Sequence, residues 1–210
     1  MTDKGDKAHT FAGWNYLDVY AEYFTRANRG SLLEIGVKDG DSLRLWRTNF
    51  NYVCGIDIDP SCKQHEEYGI EIAIGSQDDP EFLKSCFWDT PVHVPVTAPV
   101  LRTFDVIIDD GSHINTFTLA SFKYLWPRLN PGGLYIIEDL MCSYDKLQSE
   151  QNILSIWPGM KYNDPSKNFD NDRAVMDEFF RTKIYDLDHQ RGEILFMHFW
   201  SMMCVIGKVG

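Results

Sequence analysis

The sequence predicts an α/β protein whose mostly parallel, doubly wound sheet of seven strands carries helices on both faces and closes on an antiparallel hairpin. Short apolar runs alternate with helix-period stretches, which is the pattern of parallel strands joined by crossover helices. Five such runs end in acids or glycine, where an open α/β sheet holds its ligands. The 210 residues suffice for one domain with a sizeable core, so 1–210 is read as a single unit.

The elements follow in order. Residues 1–30 form an N-terminal helical segment, with Leu17, Val19, Tyr20, Tyr23 and Phe24 giving 16–24 a helical stripe beside the ligand cleft. The first strand is 32–37, followed by a helix at 42–50. The second strand, 52–57, precedes Pro60, and a weaker third strand, 71–74, ends at Gly75. Pro80 suits the first turn of a short helix at 80–86. Residues 89–103 carry three prolines and read as an inserted loop. The clearest strand is 104–109. A helix at 115–126 has Leu119, Phe122 and Trp126 on one stripe, and Pro127 and the turn 130–133 stop it. The fifth strand is 134–137, ending in Glu138-Asp139. The polar stretch 159–172, rich in Asn and Asp, reads as a lid. The runs 193–200 and 203–208 close the fold as a hairpin, which serves a homo-oligomer contact as readily as the core.

Composition narrows the function. The 44% hydrophobic and 24% charged content is that of a soluble globular protein. A net charge of -11 repels phosphates, so neither nucleic acid nor an acidic membrane is an expected partner. The apolar stretch 194–206 is interrupted by His198 and Ser201 and is too short for a membrane span. Cys54, Cys62, Cys86, Cys142 and Cys204 are odd in number and form no C-x-x-C pair. They read as reduced thiols of a cytoplasmic protein rather than disulfides or a zinc site. The polar start, 1–7, has no leader-like apolar core.

The unusual residues gather at the strand ends. Gly36 and Gly40 after the first strand permit a tight turn and close ligand approach, although an ordinary turn explains them equally well. Asp57, ending the second strand, is placed to accept both ribose hydroxyls of a nucleoside, or is a solvated turn acid. Gln77 and Asp78 are placed to bond an adenine edge, with a helix N-cap at Asp78 or Asp79 as the alternative. Eleven acids crowd these loops, with Lys38 the lone cation among them. A pyrophosphate sits badly in such a rim, whereas a sulfonium with an ammonium sits well.

The sharpest constellation is Asp109-Asp110-Gly111-Ser112-His113 with Glu138-Asp139. The fourth and fifth strands are neighbours in a doubly wound sheet, about 5 Å apart, so Asp110, Glu138 and Asp139 converge. Three close carboxylates repel unless protonated or bridged by a cation. All-oxygen ligation selects Mg²⁺, Ca²⁺ or Mn²⁺. Successive strand residues face opposite ways, so Glu138 and Asp139 can share an ion only if the strand has ended before them. Solvated strand-end acids are the alternative. His113 stands at a helix entrance, where a neutral imidazole can accept a proton or simply pack.

Leu33 to Val37, Gly55 to Asp59, Ile108 to His113 and Pro131 to Asp139 together resemble the metal-dependent sugar O-methyltransferases of the macrocin and mycinamicin type. The segments Thr2 to Gly5 and Tyr16 to Tyr20 resemble that family's N-terminal region. The resemblance spans most of the chain and weakens over 89–103 and 159–172. It implies a Rossmann-like class I methyltransferase fold and an S-adenosylmethionine-dependent enzyme. By position it implies Mg²⁺, or another hard divalent cation, on Asp110, Glu138 and Asp139, with His113 as general base. Glu34, Gly36, Asp57, Gln77, Asp78 and Asp109 would bind S-adenosylmethionine. The acceptor would be a hydroxyl of a sugar, glycosylated natural product or surface glycan. Catechol-type O-methyltransferases and cephalosporin-hydroxylase-like proteins are the rival families.

Overall fold

The structure is a computed structural model that describes residues 7, 15–24, 30–89, 100–144 and 171–210. Its main sheet has seven strands. β1 (Ser31–Ile35), β2 (Tyr52–Asp57), β3 (Ile70–Ile74), β6 (Phe104–Asp109) and β7 (Leu129–Ile137) run parallel, and β9 (Met203–Lys208) lies antiparallel between β7 and β8 (Ile194–Trp200). The spatial order is β3-β2-β1-β6-β7-β9-β8. Order reverses between β1 and β6, and ligand crevices open at such a point.

Side-chain alternation divides the core. Leu32, Val106, Ile108 and Ile136 face one side, packed with Val19 and Tyr20 of α1 (Tyr16–Tyr23) and Leu43 and Trp46 of α2 (Asp41–Arg47). Leu33, Ile35, Ile107, Tyr135 and Ile137 face the other. There they meet Leu83 of α3 (Pro80–Ser85), Phe122 and Leu125 of α4 (Asn115–Leu125), and Met176 and Phe180 of α5 (Arg173–Asp188). Burying each such side chain is worth roughly 1.5–3 kcal/mol.

The helix starts have local causes. Asn15 and Asp18 close a capping box on α1, each side chain accepting the other's backbone N–H at 3.0 and 3.1 Å. Asp79 caps α3 ahead of Pro80.

Several expectations change. The 16-residue helix α5 was not anticipated, and Asp172, read as the end of a lid, is its N-cap. The lid's residues 159–170 lie outside the described residues. The turn expected at 130–133 is an irregular stretch inside β7. The loop expected at 89–103 is flanked by a two-stranded ribbon, β4 (Trp88–Asp89) against β5 (Val100–Leu101), with 90–99 outside the described residues. No helix among the described residues is long and apolar enough to cross a membrane. All five cysteines are free and buried, and burial pushes the Cys54 and Cys204 thiols up to about 12.

Candidate active site

Sheet register brings the acids level. Ile35 pairs with Asp109, and Asp109 with Ile137. The ladder runs one rung further: Asp110 N–H donates to the Ile35 carbonyl at 3.0 Å, and Glu138 N–H to the Asp109 carbonyl at 3.0 Å. Gly36, Asp110 and Glu138 therefore stand abreast at the point of reversal. Gly36 has φ +94°, and a Cβ there would run into the Asp110 carbonyl.

Alternation separates the two neighbouring aspartates. Asp109 turns toward α4, is 2% exposed, and bonds Gln77 Nε2 at 3.2 Å. Burial raises its pKa to about 6. Asp110 turns toward α1, as do Glu34 and Glu138. Lys7 stands among these three. Its Nζ is 2.6 Å from Asp110 Oδ2, 2.7 Å from Glu138 Oε1 and 3.1 Å from Glu34 Oε1. Burial opposes the ammonium's charge, but Asp110, Glu138 and Glu34 outweigh it and hold its pKa well above the usual value. Burial likewise pushes Glu138 well above the carboxylate range, against the pull of Lys7. It takes Asp110 to about 6, again partly offset by Lys7.

β7 ends at Ile137 and its last ladder bond is made by Glu138, so Asp139 is free of strand alternation. Asp139 adopts φ 51°, a left-handed conformation that costs a non-glycine residue about 1–2 kcal/mol. This turns its carboxylate to the opposite side of Asp110 from Glu138. Tyr16 OH donates to Asp139 Oδ1 at 2.5 Å, and Tyr20 OH donates to Glu138 Oε1. One turn of α1 thus seats two phenols on two consecutive acids. His113 is also left-handed, φ 56°, and its Nε2 lies 3.6 Å from Asp139 Oδ2. Asn171 Nδ2 donates to the His113 carbonyl at 2.7 Å and pins that turn. Such conformations gather where a site over-determines them.

The donor atoms fall into two groups sharing Asp110. Asp110, His113 and Asp139 lie within reach of one ion at the half-exposed rim, and Glu34, Asp110 and Glu138 do so in the buried interior. The expected set of Asp110, Glu138 and Asp139 is thus drawn from both groups, and Lys7 stands between two of its members. Three carboxylates face one ammonium, a fourth, Asp139, stands beside Asp110, and buried Glu34 Oε1 accepts no hydrogen bond. This surplus of hard oxygen donors fits a divalent cation.

The remaining predicted residues divide. Glu34 Oε2 accepts from Ser42 Oγ at 2.7 Å and Trp46 Nε1 at 3.1 Å. Asp57 Oδ2 accepts from Val37 N at 2.8 Å and Lys38 N at 3.1 Å and its Oδ1 accepts from Asp59 N at 2.9 Å, so it shapes the glycine loop. Asp78 accepts from Ser76 Oγ and is half-buried. Gln77 is buried: its Nε2 donates to Asp109 and Ser121, and its Oε1 accepts from Ser112 N at 2.6 Å, so it braces the loop before His113. Asp109, with which it bonds, lies on the α4 side of the sheet. Lys38 is not the lone cation, since Lys7 sits at the centre. Lys7, Tyr16, Tyr20 and Asn171 were given no role from sequence.

Residues 33–140 match the family described as a methyltransferase domain. The 8-demethyl-8-alpha-L-rhamnosyl tetracenomycin-C 2'-O-methyltransferase of Streptomyces olivaceus is 35% identical over 140 residues, covering 61% of this chain and 34% of that protein. Demethylmacrocin O-methyltransferase of Streptomyces fradiae is 35% identical over 179 residues, covering 80% of this chain and 38% of that protein. This chain thus spans little more than a third of the length of these curated relatives. The MycE methyltransferase from the mycinamycin biosynthetic pathway, solved with Mg, SAH and mycinamycin VI, superimposes with TM-score 0.66 at 28% identity. That match covers 95% of this chain and 50% of the MycE chain.

Proposed function

We propose, because this chain belongs to the methyltransferase-domain family, that it moves a methyl group from S-adenosylmethionine to a hydroxyl of a sugar on a glycosylated small molecule, with a hard divalent cation. The curated relatives' names as sugar O-methyltransferases and the Mg and SAH of MycE support this reading. The observation that carries it is the gathering of Glu34, Asp110, Glu138, Asp139 and His113 at the reversal of strand order.

S-adenosylmethionine would supply the methyl on a sulfonium, and the acidic rim around Gly36, Asp57 and Asp78 suits that positive charge. Asp110, Glu138 and Asp139 would hold Mg²⁺, which lowers the pKa of a hydroxyl presented to it. His113 Nε2 faces the same rim and takes the hydroxyl proton as general base. Asp139, beside it, stabilises the imidazolium that results. Tyr16 and Tyr20 keep their protons, because burial first and then the neighbouring acids push both phenols up, so each acts as a hydrogen-bond donor that fixes an acid. Gln77 and Asn171 hold the His113 turn. Positioning the two reactants in line supplies most of the acceleration. The buried free thiols and the acidic surface suit a cytoplasmic enzyme with a small-molecule partner.

The test is labelled S-adenosylmethionine with a panel of deoxysugar glycosides and simple phenols. We expect transfer to a sugar with Mg²⁺, loss in EDTA and rescue by added Mg²⁺. His113→Ala should lower kcat by roughly 10²–10⁴-fold with cofactor affinity nearly intact. Full transfer in EDTA would remove the ion from the reaction, and a normal kcat in His113→Ala would move the base elsewhere.

A further inference from the structure

Lys7 is the feature that neither the sequence motifs nor the family comparison explains. It lies ahead of α1 in the chain, is 1% exposed, and reaches three acids more than two dozen residues away. We propose that Lys7 competes with the divalent cation for Asp110 and Glu138, so that the ion binds there only as the ammonium withdraws. This rests on the cation reading above.

The ammonium and the ion need the same atoms. Lys7 Nζ uses Asp110 Oδ2 and Glu138 Oε1 at hydrogen-bond distance. Mg²⁺ takes its oxygens at about 2.0–2.1 Å, so an ion on those two atoms would stand only a few ångströms from a second positive centre. The pocket is buried, and water does not screen that repulsion. Withdrawal also has a simple geometry. Lys7 carries its ammonium on a flexible four-carbon stem, whereas Asp110 and Glu138 are fixed by the β6 and β7 ladder. The ammonium is therefore the partner that leaves. Exchanging one positive charge for two also answers the surplus of acids, including Glu34 Oε1, which has no hydrogen bond. Lys7 thus balances part of the acids' charge until the ion arrives and sets how tightly the ion is held.

Two measurements on the full chain test this, neither of them turnover. The first titrates Mn²⁺ into wild type and Lys7→Met by calorimetry. Competition predicts at least tenfold tighter binding in Lys7→Met, with a melting temperature lower than wild type without ion and restored with it. Equal or weaker binding in the variant overturns the proposal. The second uses wild type alone, so it stands even if the variant does not fold. Acetic anhydride labelling of the Lys7 amine, read by peptide mass spectrometry, should rise several-fold at saturating Mn²⁺. Constant labelling while Mn²⁺ binds would show the ion coming to rest beside Asp139 and His113 with Lys7 in place, and would overturn the competition alone. No Mn²⁺ binding by either protein would overturn the cation reading and the competition together.

Discussion

Asp57 illustrates how a single carboxylate serves the loop it ends. Burial works against its charge, but the N–H groups of Asp59, Lys38 and Val37 outweigh burial and hold its pKa below the usual value. A carboxyl with a depressed folded pKa contributes stability that is complete above its ordinary value, about 4, and is lost as the pH falls through the lower folded value. We therefore expect Asp57→Asn to be about 1 kcal/mol less stable than wild type at pH 7. The gap should close as the pH falls toward 3, as read by denaturant melts across that range. A gap that stayed constant would mean that the charge plays no part. Residues such as Asp57 and Asp110 were legible because each stands at the end of an apolar run that reads as a strand. Lys7 and Tyr16 were not, because their partners lie 103 to 131 residues away and no periodicity links them.

Helices α1 and α5 supply what the strands lack. The motif acids sit on the ladder, but the groups that aim them come from outside it. α1 brings two phenols on one face, and the residue before the Asp172 cap of α5 brings Asn171. Asn171 is 4% exposed, donates to the His113 and Cys142 carbonyls, and accepts from Asn115 N. Removing it strands two buried backbone groups, each worth about 1–3 kcal/mol when unsatisfied, and frees the half-buried His113 carbonyl. Asn171→Ala should lower kcat by at least tenfold with KM for S-adenosylmethionine little changed, because the His113 turn loosens while the glycine loop stays put. Equal losses in both constants would point to general destabilisation instead. The strands were readable from apolar runs bounded by Gly, Pro and acids. α5 was overlooked because its buried positions, Met176 and Phe180, are embedded in charged residues that hide the stripe. The internal bonds of Gln77 and Asp109 were not legible, because each residue's face is fixed only once the strands and turns are in place.

Across the whole molecule, the net charge of -11 is accompanied by a cluster of acids at the carboxyl ends of the central strands. A divalent cation bound there should stabilise the fold by mass action. At a concentration about 100 times its dissociation constant the gain is about 2.7 kcal/mol. For a chain of this size that is a rise of roughly 5–10 °C in melting temperature. Scanning calorimetry with Mg²⁺ should show it, and NaCl at matched ionic strength should not. An equal effect of both salts would mean screening of the surface rather than a site. The chain spans about half of MycE, and this bears on the acceptor. The sheet carries a cluster of oxygen donors, whereas the groups that would choose an acceptor on the proposed reading were not legible in any motif, since surface shape leaves no fixed spacing in sequence.

Asp109 and Asp110 are adjacent in the chain and serve opposite sides of the sheet. One residue inserted into or removed from Phe104–Asp109 would make them trade places, bringing Gln77's partner to the ammonium and burying the rim acid under α4. The length of that strand is therefore under the same constraint as the chemistry of its last residues. Exchanging one of its apolar side chains for another of similar size leaves the two acids on their own sides, whereas changing the number of residues does not.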